Sequence, residues 1–188
     1  MLTLDDFIET GALLTGHFRL SSGLHSDRYL QCARLLMWPE RAQSAGRELA
    51  AGLAEFSPEA VVSPALGGIV IGHEVARALG VRALFAERKD GAFALCRGFA
   101  LEPGERVAVV EDVFTTGGST REVCAAVHEA AGRVVVVGSL VDRGLPPDAF
   151  PVPARTLLSV QVPSWPAEEC PLCAEGEPLE SPGSRRRG

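Results

Sequence analysis

The sequence predicts an α/β fold built on a doubly wound, mostly parallel sheet flanked by helices. Three observations carry that expectation. Strand-like and helical segments alternate between residues 60 and 160. The strand-like segments are short, β-branched and apolar throughout, as in strands buried on both faces. Finally, the run Val107–Val110 passes through a glycine-rich turn directly into a helical pattern.

The elements follow in chain order. Leu4, Phe7, Ile8, Leu13 and Leu14 predict a helix over 3–14, with Gly11 weakening its second half. Residues 17–32 read as short extended segments around a Ser-Ser-Gly turn. Pro39 at a first helical turn, followed by Ala42, Leu49 and Leu53, predicts a helix over 39–55. Ala60–Ser63 is strand-like, Ile69–Leu79 is helical and stops at Gly80, and Val81–Ala86 is strand-like again. Residues 87–103 are polar and loop-like, with a hairpin as one way to close them. Val107–Val110, bounded by Gly104 and the pair Glu111–Asp112, is a buried strand. Val123, Ala126, Val127 and Ala130 predict a helix over Ser119–Ala131 that ends at Gly132. Val134–Leu140 and Arg155–Val160 supply the remaining strands. Residues 1–165 form one domain, and 166–188 an irregular tail, ordered to about Pro178 and disordered beyond. The Arg185–Arg187 run reads as a solvated terminus.

Composition bounds the function. With 188 residues, 46% of them hydrophobic and 22% charged, the chain can bury a sizeable core. No apolar run approaches the ~20 residues that span a bilayer. The N-terminus is acidic and amphipathic, unlike a secretory leader. The expectation is a cytoplasmic protein with reduced thiols and no membrane partner. A net charge of −6 argues against nucleic acid as a partner. Seventeen arginines stand against one lysine, Lys89, which marks Lys89 as a position to weigh. Of the cysteines, only Cys170-Pro-Leu-Cys173 has a metal-like spacing. A structural zinc site needs four ligands, and no second pair stands in the sequence, where His17, His25, His73 and His128 are scattered. A tail disulfide and a zinc shared between subunits stay open.

The stretch from Val107 to Thr120 carries the chemistry. Gly117 and Gly118 let backbone N–H groups converge at a helix start, which favours an anion. Thr115, Thr116, Ser119 and Thr120 offer hydroxyl donors to it. The turn has no lysine, so a nucleotide P-loop is excluded, and no dinucleotide G-x-G-x-x-G is present. Two carboxylates before the turn would repel a naked phosphate. They make sense if they accept sugar hydroxyls while the turn holds the phosphate.

The string Val109-Val110-Glu111-Asp112-Val113-Phe114-Thr115-Thr116-Gly117-Gly118-Ser119-Thr120 resembles the phosphoribosyl pyrophosphate (PRPP) signature of type I phosphoribosyltransferases. More narrowly, the chain is similar to the orotate-using members. Ser22–Tyr29 looks like their N-terminal Ser-Gly segment, Pro64–Ile69 like their pyrophosphate loop, and Leu140–Arg143 like the strand end that carries their base-recognition arginine. The resemblance covers roughly residues 1–165. It implies the type I phosphoribosyltransferase fold, with residues 1–35 contributing to a small base-binding hood, and a loop hairpin. The activity it implies is transfer of the phosphoribosyl group of PRPP to orotate, giving orotidine 5′-phosphate and pyrophosphate in pyrimidine biosynthesis. Mg²⁺ would be held through PRPP, with no direct protein ligand.

Carried over residue by residue, the resemblance gives Glu111 and Asp112 the ribose hydroxyls and, with Lys89, the catalytic roles. Val113, Phe114, Thr115, Thr116, Gly117, Gly118 and Ser119 would line PRPP, with Thr115–Ser119 at the 5′-phosphate and the Phe114 side chain packing against the sheet, and Leu66 and Gly67 would take the diphosphate. Arg88 and Lys89 match a shortened mobile loop over 87–98 that the family shares between the subunits of a homodimer. Thr115, Tyr29 and Arg143 would contact orotate, Arg143 by pairing with its carboxylate. The chain departs from the pattern where lysines of the family are replaced by Gly67 and by Ser21 or Ser22. Arg97 stands nearby as a further source of positive charge. A transferase for another base and a non-catalytic sensor of the same fold are the rival readings.

Overall fold

The computed structural model of the chain describes residues 1–20 and 22–182. Ser21, the Arg185–Arg187 run and the end of the tail therefore lie outside the described residues. Helix α1 (Leu4–Glu9) is shorter than the helix expected over 3–14. Gly11 adopts a left-handed backbone at φ +66° and stops it. Leu13 and Leu14 pass instead into β1 (Leu13–Arg19), which pairs antiparallel with β2 (His25–Leu30) in a separate two-stranded hairpin. A short helix α2 (Ala33–Leu36), not evident from the pattern, leads into α3 (Pro39–Leu53), with Pro39 at its first turn as expected.

The alternation after residue 60 builds the main sheet. β3 (Ala60–Pro64) runs into α4 (Gly68–Leu79), then β4 (Arg82–Lys89) and β5 (Ala92–Leu95). β6 (Arg106–Phe114) runs into α5 (Gly118–Glu129), then β7 (Arg133–Asp142) and β8 (Ala154–Ser159). The strand order is β5-β4-β3-β6-β7-β8, parallel except for the β4–β5 hairpin. Lys89 pairs with Ala92, so Asp90 and Gly91 form a two-residue turn, both at positive φ. An Asp-Gly pair is suited to that turn, and it resolves the polar 87–103 stretch as a hairpin.

Residues of β6 alternate between two cores. Ala108 and Val110 pack with Leu49, Ile71 and Val75 of α3 and α4. Val107 and Val109 pack with Val123 and Val127 of α5. Helices therefore cover both faces, and each fully buried valine contributes roughly 1.5–3 kcal/mol. The chain moves outward in one direction from β3 to β4 and in the other from β6 to β7. The reversal between β3 and β6 leaves a crevice at their carboxyl ends, where ligands of such sheets bind.

The tail differs from the body. It runs from a 3₁₀ turn at Ala167–Glu169 into the short helix α6 (Pro171–Ala174). It stays ordered past Pro178, since Glu180 bridges Phe18 of β1. No helix among the described residues is long and apolar enough to cross a membrane.

Candidate active site

β6 outlasts its buried valines. Backbone pairing with β7 continues through Glu111, Val113 and Phe114, so the acidic pair lies within the strand, whereas the sequence pattern places it after the strand. Glu111 accepts a hydrogen bond from the hydroxyl of Thr120, a buried residue of α5. Thr120 is thus turned toward Glu111 and away from the role of anion donor. Burial pushes the Glu111 carboxyl up to about 7, the Thr120 bond partly offsets this, and the neighbouring Asp112 adds to it. Burial also raises Asp112, partly offset by the backbone N–H of Val113, which donates to Asp112 Oδ1 at 3.0 Å. Beneath the pair, the thiol of buried Cys32 lies 3.8 Å from the Asp112 carbonyl. Burial raises that thiol well above its usual range, so Cys32 is a neutral floor to the site and not a nucleophile.

The turn after β6 is shaped for close approach. Gly117 sits at φ +76°. A Cβ there would meet the Phe150 ring at 2.9 Å and Leu145 and Arg121 at 3.1 Å. Arg121 donates to the Thr116 carbonyl at 2.9 Å and fixes the turn from behind. Thr115 and Thr116 are exposed, and Ser119 is half-buried in the first turn of α5. α5 starts just past the carboxyl end of β6, so its first turn, whose N–H groups a helix leaves without partners of its own, lies at the crevice end of the sheet. The Phe114 side chain packs against the sheet: it is 1% exposed and lies on Phe150 at 5.3 Å, which leaves its backbone toward the turn. Val113 packs against the core on the opposite face.

Across the switch point, the Pro64–Gly68 loop lies against the acidic pair. A Cβ on Gly67 would stand 2.9 Å from both carboxylate oxygens of Asp112. On Gly68 it would lie 3.0 Å from the Val110 carbonyl. The absence of side chains at 67 and 68 is therefore what lets this loop and β6 converge. Leu66 projects outward at 84% exposure.

Arg143 follows β7, its backbone N–H bonded to the Phe114 carbonyl at 2.9 Å. The neighbouring Asp142 accepts from the N–H groups of Gly144 and Leu145 at 2.8 and 2.7 Å. Asp142 thus caps the turn and makes no salt bridge with Arg143 among the described residues. Among the described residues Arg143 has no ion pair, and its Nε is buried without a hydrogen-bond partner. Burial holds its guanidinium below the usual value, with Cys32 and Tyr29 close enough to offset part of the shift. Tyr29 comes from β2 of the hairpin, its ring 5.8 Å from Phe18.

The β4–β5 hairpin places its cations differently. Arg88 is drawn back onto α5: it donates to Glu122 at 2.8 Å and to the Gly91 carbonyl at 2.9 Å, and it lies over the Phe93 ring at 4.4 Å. Arg97 is paired with Glu87 at 2.7 Å. Lys89 is exposed and has no ion pair among the described residues. One open cavity of about 400 Å³, lined by Phe56, Arg106, Arg133 and Pro151–Pro153, lies at the amino ends of the strands, away from all these groups.

Sequence reasoning thus located the acidic pair, the turn, the glycine loop and Arg143, and the fold brings them to one end of the sheet. It missed Thr120 as the partner of Glu111, Arg121 as the brace of the turn, and Cys32 as its floor. Only Thr120 left a signal, a buried position at helical spacing. It also read His17 and His25 as scattered, whereas the hairpin and tail bring them together with Cys170 and Cys173 within a single chain.

Comparison with known proteins gives the relatives of the chain. No protein-family model matches the chain. It is 53% identical over 180 residues to the orotate phosphoribosyltransferase of Pelotomaculum thermopropionicum, covering 96% of this chain and 95% of that one. The orotate phosphoribosyltransferase of Thermotoga maritima is 52% identical over 177 residues, 94% of this chain and 95% of that one. Among solved structures, the orotate phosphoribosyltransferase of Aeropyrum pernix superposes with a TM-score of 0.69 at 26% identity, over 83% of this chain and 92% of that one. The Mycobacterium tuberculosis enzyme in complex with PRPP gives 0.61 at 25% identity, over 70% and 81%.

Proposed function

The chain belongs to the orotate phosphoribosyltransferase family, and from that premise we propose how its residues carry the reaction. The enzyme transfers the phosphoribosyl group of PRPP to orotate, releasing pyrophosphate and forming orotidine 5′-phosphate. Arg143 is the observation that carries the assignment to orotate. It is a partly buried guanidinium with no carboxylate partner among the described residues, beside Tyr29 and next to the phosphate turn. Orotate carries a carboxylate; uracil and the purines do not. A cation in that state gains most from an anionic base.

In this reading the turn Thr115–Ser119 and the start of α5 bind the 5′-phosphate through backbone N–H groups and hydroxyls. Glu111 and Asp112 accept the 2′- and 3′-hydroxyls of the ribose. They also stabilise the positive charge that develops at C1 as the bond to pyrophosphate breaks and the bond to orotate nitrogen forms. Gly67 and Leu66 supply backbone to the diphosphate. Lys89, exposed near the hairpin tip and unpaired among the described residues, neutralises the leaving group, and Arg88 joins it by leaving Glu122. That exposed pair contributes at most about 1 kcal/mol, so breaking it is cheap. The Asp112 carboxylate beside the Gly67 loop is a hard oxygen donor that would suit Mg²⁺, and with too few such donors for a protein-built cage the ion would be held mainly through PRPP. When bound, it offsets charge on the departing pyrophosphate. No covalent nucleophile is needed, and the protein contributes position and electrostatics. The working enzyme is a cytoplasmic homodimer in which the 87–98 loop closes over the partner's site.

The test is the ultraviolet absorbance of orotate with enzyme, PRPP and Mg²⁺, with adenine, xanthine and uracil in parallel. A fall for orotate alone that requires both PRPP and Mg²⁺ is expected. Turnover of another base instead would overturn the assignment of Arg143, and PRPP binding without turnover would favour the sensor reading.

A further inference from the structure

Four side chains outside the transferase site converge between the β1–β2 hairpin and the tail. His17 stands on β1, His25 on β2, Cys170 just before α6 and Cys173 within it. Their nitrogen and sulfur atoms all lie within 4.8 Å of one another. His17 Nε2 is 3.1 Å from His25 Nδ1, 3.5 Å from Cys170 Sγ and 3.7 Å from Cys173 Sγ. His25 Nδ1 is 3.3 Å from Cys173 Sγ. Tetrahedral zinc with Zn–S near 2.3 Å and Zn–N near 2.0–2.1 Å requires edges of about 3.3 Å between nitrogens and about 3.5 Å between nitrogen and sulfur. These four edges fit that tetrahedron, and the remaining two, His25–Cys170 and Cys170–Cys173, lie within 4.8 Å.

The surroundings point the same way. His17 Nδ1 is 2.8 Å from the Glu177 carbonyl, which can only accept. The proton therefore sits on Nδ1, and Nε2 presents its lone pair to the cluster. This is the outer-shell bond that orients a ligating histidine. Both histidines and Cys170 are buried, while Cys173 closes the cluster from the solvent side. Between residues 163 and 182, Cys170 is the only buried residue, so the tail has almost no apolar core with which to hold itself. It is nevertheless docked on both sides of the cluster. Trp165 exchanges backbone bonds with His25 at 2.8 and 2.9 Å, and Glu180 does so with His17 and Arg19 at 2.8 Å.

We propose that His17, His25, Cys170 and Cys173 form a structural site for a zinc-class divalent ion, which clamps the tail onto the hairpin that carries Tyr29. Binding releases two thiol protons to solvent, and the two thiolates then neutralise the ion, so the buried site carries no net charge. The closed four-ligand set leaves no open coordination position, which makes the role structural and not catalytic. This inference stands apart from the phosphoribosyl reading, because its readout is the metal itself.

The decisive experiment is metal analysis of the full-length chain purified without chelators, followed by replacement with Co²⁺. About one zinc per chain is expected, with the intense visible bands of a tetrahedral thiolate–imidazole cobalt site after exchange. Cys173→Ser and His25→Ala should each retain less than about a tenth of that metal. Chelation of the unmodified protein should increase amide exchange in residues 163–182 and 13–30 while leaving the central sheet protected. Zinc below about a tenth of an equivalent together with octahedral-type cobalt spectra would overturn the proposal. So would a Cys170–Cys173 disulfide found by mass spectrometry of the protein kept free of added oxidant. The wild-type measurement decides the question even if a variant fails to fold.

Discussion

At the level of single residues, the acidic pair has the most to say about activity. Glu111 shifts from an ordinary value of 4.5 to about 7 because it is buried beside Asp112, with only the Thr120 hydroxyl to favour its charged form. A carboxyl must be ionised to accept hydroxyls from the ribose at full strength. The kcat/KM for PRPP should therefore rise with pH through about 7 and level off above it, and Glu111→Gln should remove that inflection along with most activity. The stability effect has the opposite sense. A group whose folded value lies above its unfolded one contributes stability below the unfolded value, and that contribution is lost as pH rises through the folded value. Melting of the ligand-free enzyme between pH 4.5 and about 7 should therefore decline less in Glu111→Gln than in the parent. Arg143 makes a different demand. Its guanidinium has no ion pair among the described residues, so Arg143→Ala should raise the KM for orotate by at least about tenfold, the loss of one charge-assisted bond, and leave the KM for PRPP within about threefold. Equal losses for both substrates in steady-state kinetics would remove Arg143 from base recognition.

Among the elements, the turn between β6 and α5 was the most legible part of the sequence, and it was still incompletely read. Glycines and hydroxyls in a row announce a turn. They do not announce that Gly117 is wedged against Phe150 and Leu145, because those residues arrive from a loop about thirty positions away. The reach of β6 was likewise hidden. Glu111 and Asp112 look like punctuation after four valines, yet pairing with β7 carries the strand past them. Leu13 and Leu14 fit helical and extended spacing equally well, and the backbone at Gly11 settled the matter in favour of β1. The tightness of the turn has a direct consequence. Gly117→Ala imposes roughly 1–2 kcal/mol for the left-handed backbone, with a 2.9 Å contact on Phe150 added to it. The melting temperature should fall by about 3–8 °C. PRPP affinity should fall as well, because the phosphate N–H groups move with the turn. A normal KM for PRPP in a destabilised Gly117→Ala would show that the turn does not hold the phosphate.

For the molecule as a whole, periodicity was enough to give the sheet, since strands buried on both faces leave little choice of pattern. It could not give the contacts between the hairpin and the tail: His17 and Cys170 are 153 positions apart, and no local spacing encodes their meeting. Nor does a single chain explain its own loop. Arg88 is folded onto Glu122 and Arg97 onto Glu87, which leaves Lys89 as the hairpin cation that is unpaired among the described residues. If Lys89 serves the partner's site, two defective proteins should repair each other. Lys89→Ala lacks the donated cation, and Asp112→Asn lacks the carboxylate that receives the ribose. Each alone should lose at least tenfold in kcat, roughly what one transition-state contact contributes. Random reassociation of an equal mixture puts half of the chains in heterodimers, and each heterodimer contains one intact site and one doubly altered site. The mixture should then recover up to about a quarter of wild-type activity after dissociation and reassembly. Recovery absent under conditions where mass spectrometry shows heterodimers would mean that Lys89 acts within its own subunit, and the β4–β5 hairpin would then have to close over the crevice of the sheet to which it belongs.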